Sequence, residues 1–241
     1  MQSPFTQFEI SLIQKITILG IDVSLTNFTI TLALVVFLIG FFYLISTTQA
    51  TIIPTRSQII VEELYLFILN LIIEQSGVKA TRFFPILFTC FNFILFSNLI
   101  GLTPWSFTIT AHIGLTILLS LSFFIGWIIQ GLINLKLSFF RIFLPRGIPS
   151  WLAPLLIVIE ILSFLIRPLS LSIRLFANML AGHILLYILG SATLILGILP
   201  ALASFFFILA FLILELGIAL LQAYVFTILL CIYLSDSYKA H

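Results

Sequence analysis

Between positions 160 and 222 the sequence sets Glu160, Arg167, Arg174, Asn178, His183, Glu215 and Gln222 into stretches that are otherwise almost wholly apolar. A charge in the middle of a bilayer costs at least ~2.5–3.5 kcal/mol, so each charged group there needs a compensating role. Glu160, His183 and Glu215 can take and pass protons, while Asn178 and Gln222 hydrogen-bond without titrating. Arg174 is of a different kind: its guanidinium stays protonated, and no acid of this chain is an obvious counter-ion. The expected partner is therefore on another protein. A fixed cation facing a moving carboxylate favours the ionised carboxylate, makes it give up its proton, and blocks a proton wire running straight through. Proton transport is the chemistry these residue types support.

Their spacing gathers them. At 100° per residue, Glu160, Arg167 and Arg174 recur every seven positions and fall within about 40° of one another on a helix, with Asn178 about 40° further round. His183 projects from the opposite side. Glu215 and Gln222 are also seven apart and share a face. If the two segments form an antiparallel hairpin, facing positions keep a constant sum, and three pairs sum to 396–398: Arg174 with Gln222, His183 with Glu215, and Glu160 with Asp236. Half of that sum falls in the stretch Gly-Ile-Leu-Pro at 197–200, a turn signal. Arg167, beside Pro168, is expected to snorkel or to pair with Glu160.

The elements that hold these residues follow from composition. Of 241 residues 62% are hydrophobic and only 7% charged, against ~25% charged in soluble domains. Segments 23–55, 83–135, 175–214 and 216–235 carry no Asp, Glu, Lys or Arg, and each reaches the ~20 residues that cross a bilayer. A soluble globule is excluded. Without the polar alternation of a barrel, the backbone must satisfy its hydrogen bonds as helices. The expected fold is an all-α integral membrane protein of one domain. Its parts are an interfacial segment 1–26, upright helices 27–46, 83–101 and 112–134, an amphipathic helix 57–75, and a long tilted hairpin of 150–190 and 200–235. In 57–75, Glu63, Asn70 and Glu74 share one face, the pattern of a helix lying in the interface. A helix of 40 residues is ~60 Å long against a hydrocarbon layer of ~30 Å, so tilt is needed to keep its polar stripe within a thin layer.

Orientation follows from basic residues. With the amino terminus outside, Arg56, Lys79, Arg82, Lys136, Arg141, Arg146 and Lys239 lie on one side and Lys15 alone on the other. Residues 136–149 read as a basic, proline-broken loop. Cys90 and Cys231 sit in apolar runs and read as free buried thiols, and His112 reads as a surface residue near an interface. The first 25 residues lack the basic and short apolar regions of a signal peptide. No basic cluster suggests nucleic acid, no GxxxxGK[ST] suggests a nucleotide, and neither cofactor nor metal is expected.

The run Arg174-Leu-Phe-Ala-Asn178-Met-Leu-Ala-Gly-His183, followed by Glu215-Leu-Gly-Ile-Ala-Leu-Leu-Gln222-Ala-Tyr-Val-Phe, closely resembles subunit a of the rotary ATP synthases, the family that includes mitochondrial ATPase subunit 6. The likeness extends to Asn98-Leu-Ile-Gly-Leu-Thr-Pro104 and to the helix carrying Glu160. It implies a stator subunit beside a rotating proteolipid c-ring, with two offset proton half-channels. It assigns Arg174 as the essential arginine between them and Asn178 and Gln222 as its neighbours. His183 and Glu215 become proton-path residues, in the mitochondrial arrangement, while Glu160 belongs with the other half-channel, and Asp236 stands at its edge. Implied partners are the c-ring, the peripheral stalk, the other membrane subunits and the bilayer, with phosphoryl transfer elsewhere in the complex. The implied location is the mitochondrial inner membrane with the C-terminus on the matrix side, or a bacterial inner membrane. Ala177 departs from the Gly of many relatives. Two other readings compete: a secondary transporter with a midplane site, which expects broken helices and inverted repeats, and a haem or quinone subunit, which expects paired axial histidines. Only His183 is well placed for the latter.

Overall fold

A computed structural model describes residues 6–18, 21–22, 24–48, 51–103, 106–136, 139, 152–195 and 198–238. The chain is helical almost throughout. Six helices follow in order: α1 Asn27–Thr48, α2 Arg56–Ser76, α3 Phe84–Gly101, α4 Ile113–Leu135, α5 Ala153–Ile195 and α6 Ile198–Tyr238. Among the described residues, five helical segments are long and apolar enough to cross a membrane: Asn27–Thr48, Val78–Gly101, Ile113–Leu135, Pro154–Ser191 and Ser204–Tyr238. Most of the basic 136–149 loop, and part of the 197–200 turn, lie outside the described residues.

Ahead of α1 the chain contains short antiparallel ladders, Leu12–Gln14 with Leu25–Thr26 and Thr17–Ile18 with Ile21–Asp22. The Asn27 side chain ties this segment to the start of α1, accepting from the Ser11 N–H at 3.1 Å and donating to the Glu9 carbonyl at 3.0 Å.

The two long helices form the backbone of the fold. At 43 and 41 residues each is about 60 Å or more in length, and α6 packs on α2, α3, α4 and α5. Pro168 lies inside α5 and is buried. It removes one intrahelical donor, yet the helix continues through it. The core gathers on α6, where Ala223, Phe226, Leu230, Cys231 and Leu234 meet Ile68, Ile72, Leu87, Phe91 and Ile94 of α2 and α3. Cys90 and Cys231 are free and buried.

Between apolar helices in lipid, association depends on close packing and on hydrogen bonds. Ser76 Oγ donates to the Cys231 carbonyl at 2.6 Å, joining α2 to α6. Tyr43 donates to Asn92 at 2.8 Å between α1 and α3, and Ser172 and Thr116 hydroxyls meet at 3.1 Å between α5 and α4. In α2 the buried residues Ile68, Leu71, Ile72 and Ser76 recur at helical spacing, while Glu63, Asn70 and Glu74 are exposed. That helix ends at Gly77, whose φ of +81° is available to glycine at little cost.

Candidate functional site in the long hairpin

On α5 the buried side is marked by Leu171, Ser172, Leu175 and Met179, spaced by three and four so that they line one stripe. Arg174 falls outside that stripe and is exposed. It borders an open cleft with Arg167, Ser170, Leu229 and Tyr233. Among the described residues it makes no ion pair. Its side chain is exposed at the mouth of this cleft, beside Leu229 and Tyr233 of α6.

Seven residues earlier, Arg167 is spoken for. Its Nη2 lies 3.6 Å from Glu160 Oε1 and its Nη1 3.5 Å from Asp236 Oδ2. The guanidinium also stands 5.9 Å from the ring centre of Phe164 and 5.8 Å from that of Tyr233, within the range of cation–π attraction. Glu160 and Asp236, expected to approach each other directly, are thus joined through the cation between them. This triad is half-exposed, so each pair is screened and individually weak.

On the inward side the groups are neutral or unpaired. Asn178 Nδ2 donates to Gln222 Oε1 at 3.2 Å. Gln222 was expected to face Arg174, and its partner is instead one helical turn further along α5. The reason is geometric, because Arg174 borders Leu229 and Tyr233 of α6, about two turns along from Gln222, while Asn178 reaches Gln222 itself. Gln222 is only 4% exposed, and its Nε2 has no partner among the described residues.

Glu215 is 2% exposed, and among the described residues neither of its carboxyl oxygens has a hydrogen-bond partner. It lies against Gly182 rather than bonding to His183: a β-carbon at 182 would come within 2.7 Å of Glu215 Cδ. The expected His183–Glu215 facing is therefore shifted by one residue, and glycine is what lets the carboxyl fit between the helices. The His183 ring stands edge-on to Phe8 at 6.2 Å, with Nε2 enclosed and unpartnered.

Neighbouring polar atoms extend this region in a way the spacing argument did not single out. Asn98 is fully buried, donates to the Ala219 carbonyl at 3.4 Å, and leaves its Oδ1 unpartnered. Ala219 is one turn from Glu215 and lies between it and Gln222. Ser97 Oγ and Thr110 Oγ1 are likewise enclosed without partners. Buried polar groups are normally satisfied, and this concentration of atoms without partners among the described residues sets the region apart from the rest of the core. A lone Asn in an apolar run was the available signal for Asn98. Tyr233, between Arg167 and Arg174, carried none.

His112, just ahead of the spanning part of α4 and expected near the surface, is half-buried. It stacks on Phe107 at 4.9 Å and meets Phe28 edge-on at 5.8 Å, with Nε2 enclosed. Burial holds its pKa below the ordinary 6.5, because the charged imidazolium is the form that loses hydration.

Comparison with known proteins shows the family. The family described as "ATP synthase A chain" matches residues 27–235. A protein named ATP synthase subunit a from Acanthamoeba castellanii is 46% identical over 241 residues, covering 98% of each chain. The Rhodospirillum rubrum protein of the same name is 43% identical over 241 residues, covering both chains completely. That of Marchantia polymorpha is 46% identical over 252 aligned positions and 99% of each chain.

Proposed function

Since this chain belongs to the ATP synthase A chain family, we propose that it is the proton-translocating stator subunit whose Arg174 separates two offset half-channels beside a rotating ring of carboxylate-bearing proteolipids. The chain is a membrane subunit of the ATP synthase and performs no phosphoryl transfer of its own. One observation carries the finer reading. Of the two arginines in α5, Arg167 is shared by two carboxylates of its own chain, while Arg174 is exposed and without an ion pair among the described residues.

The two half-channels divide along the same line. The region of His183, Glu215, Asn98 and Gln222 carries enclosed, unspent donors and acceptors on one side of Arg174. Glu160 and Asp236, held by Arg167, stand on the other. A proton arriving through the first region passes to a ring carboxylate. That carboxylate later meets Arg174, where the cation stabilises the ionised form and the proton is released toward the second region. Because guanidinium does not titrate at accessible pH, no proton crosses directly between the two. Asn178 and Gln222 hold each other at 3.2 Å next to this barrier and present a neutral, hydrogen-bonding surface.

The partners on this reading are the c-ring, the peripheral stalk and the other membrane subunits. The location is the mitochondrial inner membrane with the C-terminus on the matrix side. Replacing Arg174 with Ala in the assembled complex tests the reading, with ATP-driven acidification of sealed vesicles as readout. Coupled pumping should fall at least about a hundredfold, the scale of ~3 kcal/mol for losing a charge-stabilising group in a water-poor site, while the subunit still assembles. Retained pumping would remove Arg174 from the mechanism.

A further inference from the structure

Far from the hairpin's polar face, α3 and α4 enclose a furrow that the proton path does not use. Both helices pack on α6 rather than along each other, so a gap remains between them on the outer side. Two adjoining hollows of about 400 and 260 Å³ share Ile86 and Phe123, the larger also walled by Val36 and Ile39 of α1. Small side chains open it: Thr89 and Cys90 on α3, Ser122 and Gly126 on α4. A β-carbon built on Gly126 meets nothing within 4 Å.

The furrow has a direction. Along α3 it runs from Phe83 to Phe93, ten residues or ~15 Å of helix, which is half of the ~30 Å hydrocarbon layer. A transmembrane helix of another subunit needs the full thickness. An acyl chain of one leaflet needs half.

One end of the furrow is basic. Arg82 directly precedes Phe83, Lys79 lies one turn earlier, and Lys136 follows α4 nine residues, or ~13 Å of helix, past Trp127. All three are exposed, and none forms an ion pair among the described residues. They belong to the side of the membrane where Lys and Arg concentrate, the side whose leaflet carries anionic lipid. Trp127, 7% exposed and against Phe83 at 6.0 Å, lines the wall near this end with an indole N–H that has no acceptor among the described residues. An acyl groove one leaflet deep, a nearby indole donor and a cationic rim form a matched set.

We infer that the furrow between α3 and α4 is a binding site for an anionic phospholipid, its acyl chain lying on Ile86, Phe123 and Gly126 and its phosphate held by Lys79 and Arg82. Each cation near the surface adds about fivefold in affinity for an anionic headgroup. The site is independent of the proton path.

The test uses the intact ATP synthase complex in membranes doped with either phosphatidylglycerol or phosphatidylcholine, each bearing a photoreactive group in one acyl chain. Peptides covering 83–93 and 119–127 should be labelled at least about fivefold more by phosphatidylglycerol. The double variant Lys79→Gln, Arg82→Gln should bring that ratio near one. Gly126→Leu, which fills open space, should reduce labelling by both lipids while ATP-driven pumping continues. Equal labelling by the two lipids in the unaltered complex would overturn the headgroup assignment. Unlabelled furrow peptides, with a photoreactive group placed at Gly126→Cys reacting with another subunit instead, would show that a protein occupies it and overturn the site.

Discussion

Toward the open end of the α5–α6 hairpin, Arg167 lies 3.6 Å from Glu160 and 3.5 Å from Asp236. Nearer the connection between the helices, Glu215 is 2% exposed with neither oxygen hydrogen-bonded among the described residues, and His183 Nε2 and Gln222 Nε2 are enclosed and equally unspent. The first region settles its charges internally and in a half-exposed place, where water assists. In the second, titratable groups hold hydrogen-bonding capacity that the described residues do not use. Arg174 stands between the two and belongs to neither. A polar stripe within one hairpin thus contains paired charges, buried polar groups without partners among the described residues, and an exposed cation, which the proposed function reads as structural pairs, exchange groups and a cation for a neighbour.

The sharpest way to break this contrast is at Gly182. Gly182→Val drives a side chain into the Glu215 carboxyl, and overpacking of this kind forces shifts costing about 1–3 kcal/mol. Proton transport by the assembled complex is expected to fall at least about tenfold, consistent with that cost, whereas the Arg167 triad, remote along both helices, stays intact. Normal ATP-driven pumping in this variant would show that the Gly182–Glu215 approach is unimportant to the path.

Arg167→Gln probes the other region and should be milder. It leaves Glu160 and Asp236 without their shared cation, but exposed pairs contribute only about 0.2–1 kcal/mol each. Thermal stability of the complex should drop slightly and pumping by a few-fold, with Arg167→Lys restoring most of both. A loss as complete as that from Arg174→Ala would mean that the two arginines are not distinct in role.

The smallest effect is expected at His112, which lies outside both regions. Its pKa is lowered by burial, so the unfolded chain binds the proton more readily than the folded one. Stability from its neutral stacking is therefore fully present above the ordinary 6.5 and is lost as pH falls below it. Hydrogen exchange in residues 106–116 should quicken between pH 7.5 and 5.5, and His112→Phe should flatten that dependence. An unchanged profile in the variant would assign the pH effect to another group.

Much of this arrangement was legible in the sequence because charge in an apolar run is so costly. The lengths of the charge-free segments identified helices in a membrane, and spacing by seven put Glu160, Arg167 and Arg174 on one stripe. Partner choice was not legible to the same depth. A constant-sum register places facing positions only to within about a turn, so Asn178 rather than Arg174 meets Gln222, and Gly182 rather than His183 meets Glu215. The ladders of residues 12–26 are too short to impose a period of two. Nor could pattern reveal the α3–α4 furrow, since it arises where two helices joined in sequence pack on a third.

A density map of the intact membrane complex, resolved at side-chain level around α5, tests the central claim most directly. The guanidinium of Arg174 should lie at ion-pair distance from, or across one hydrogen bond to, a carboxylate on a neighbouring ring subunit. Finding that side chain instead paired with an acid of its own polypeptide, or covered by a protein surface bearing no carboxylate, would contradict it.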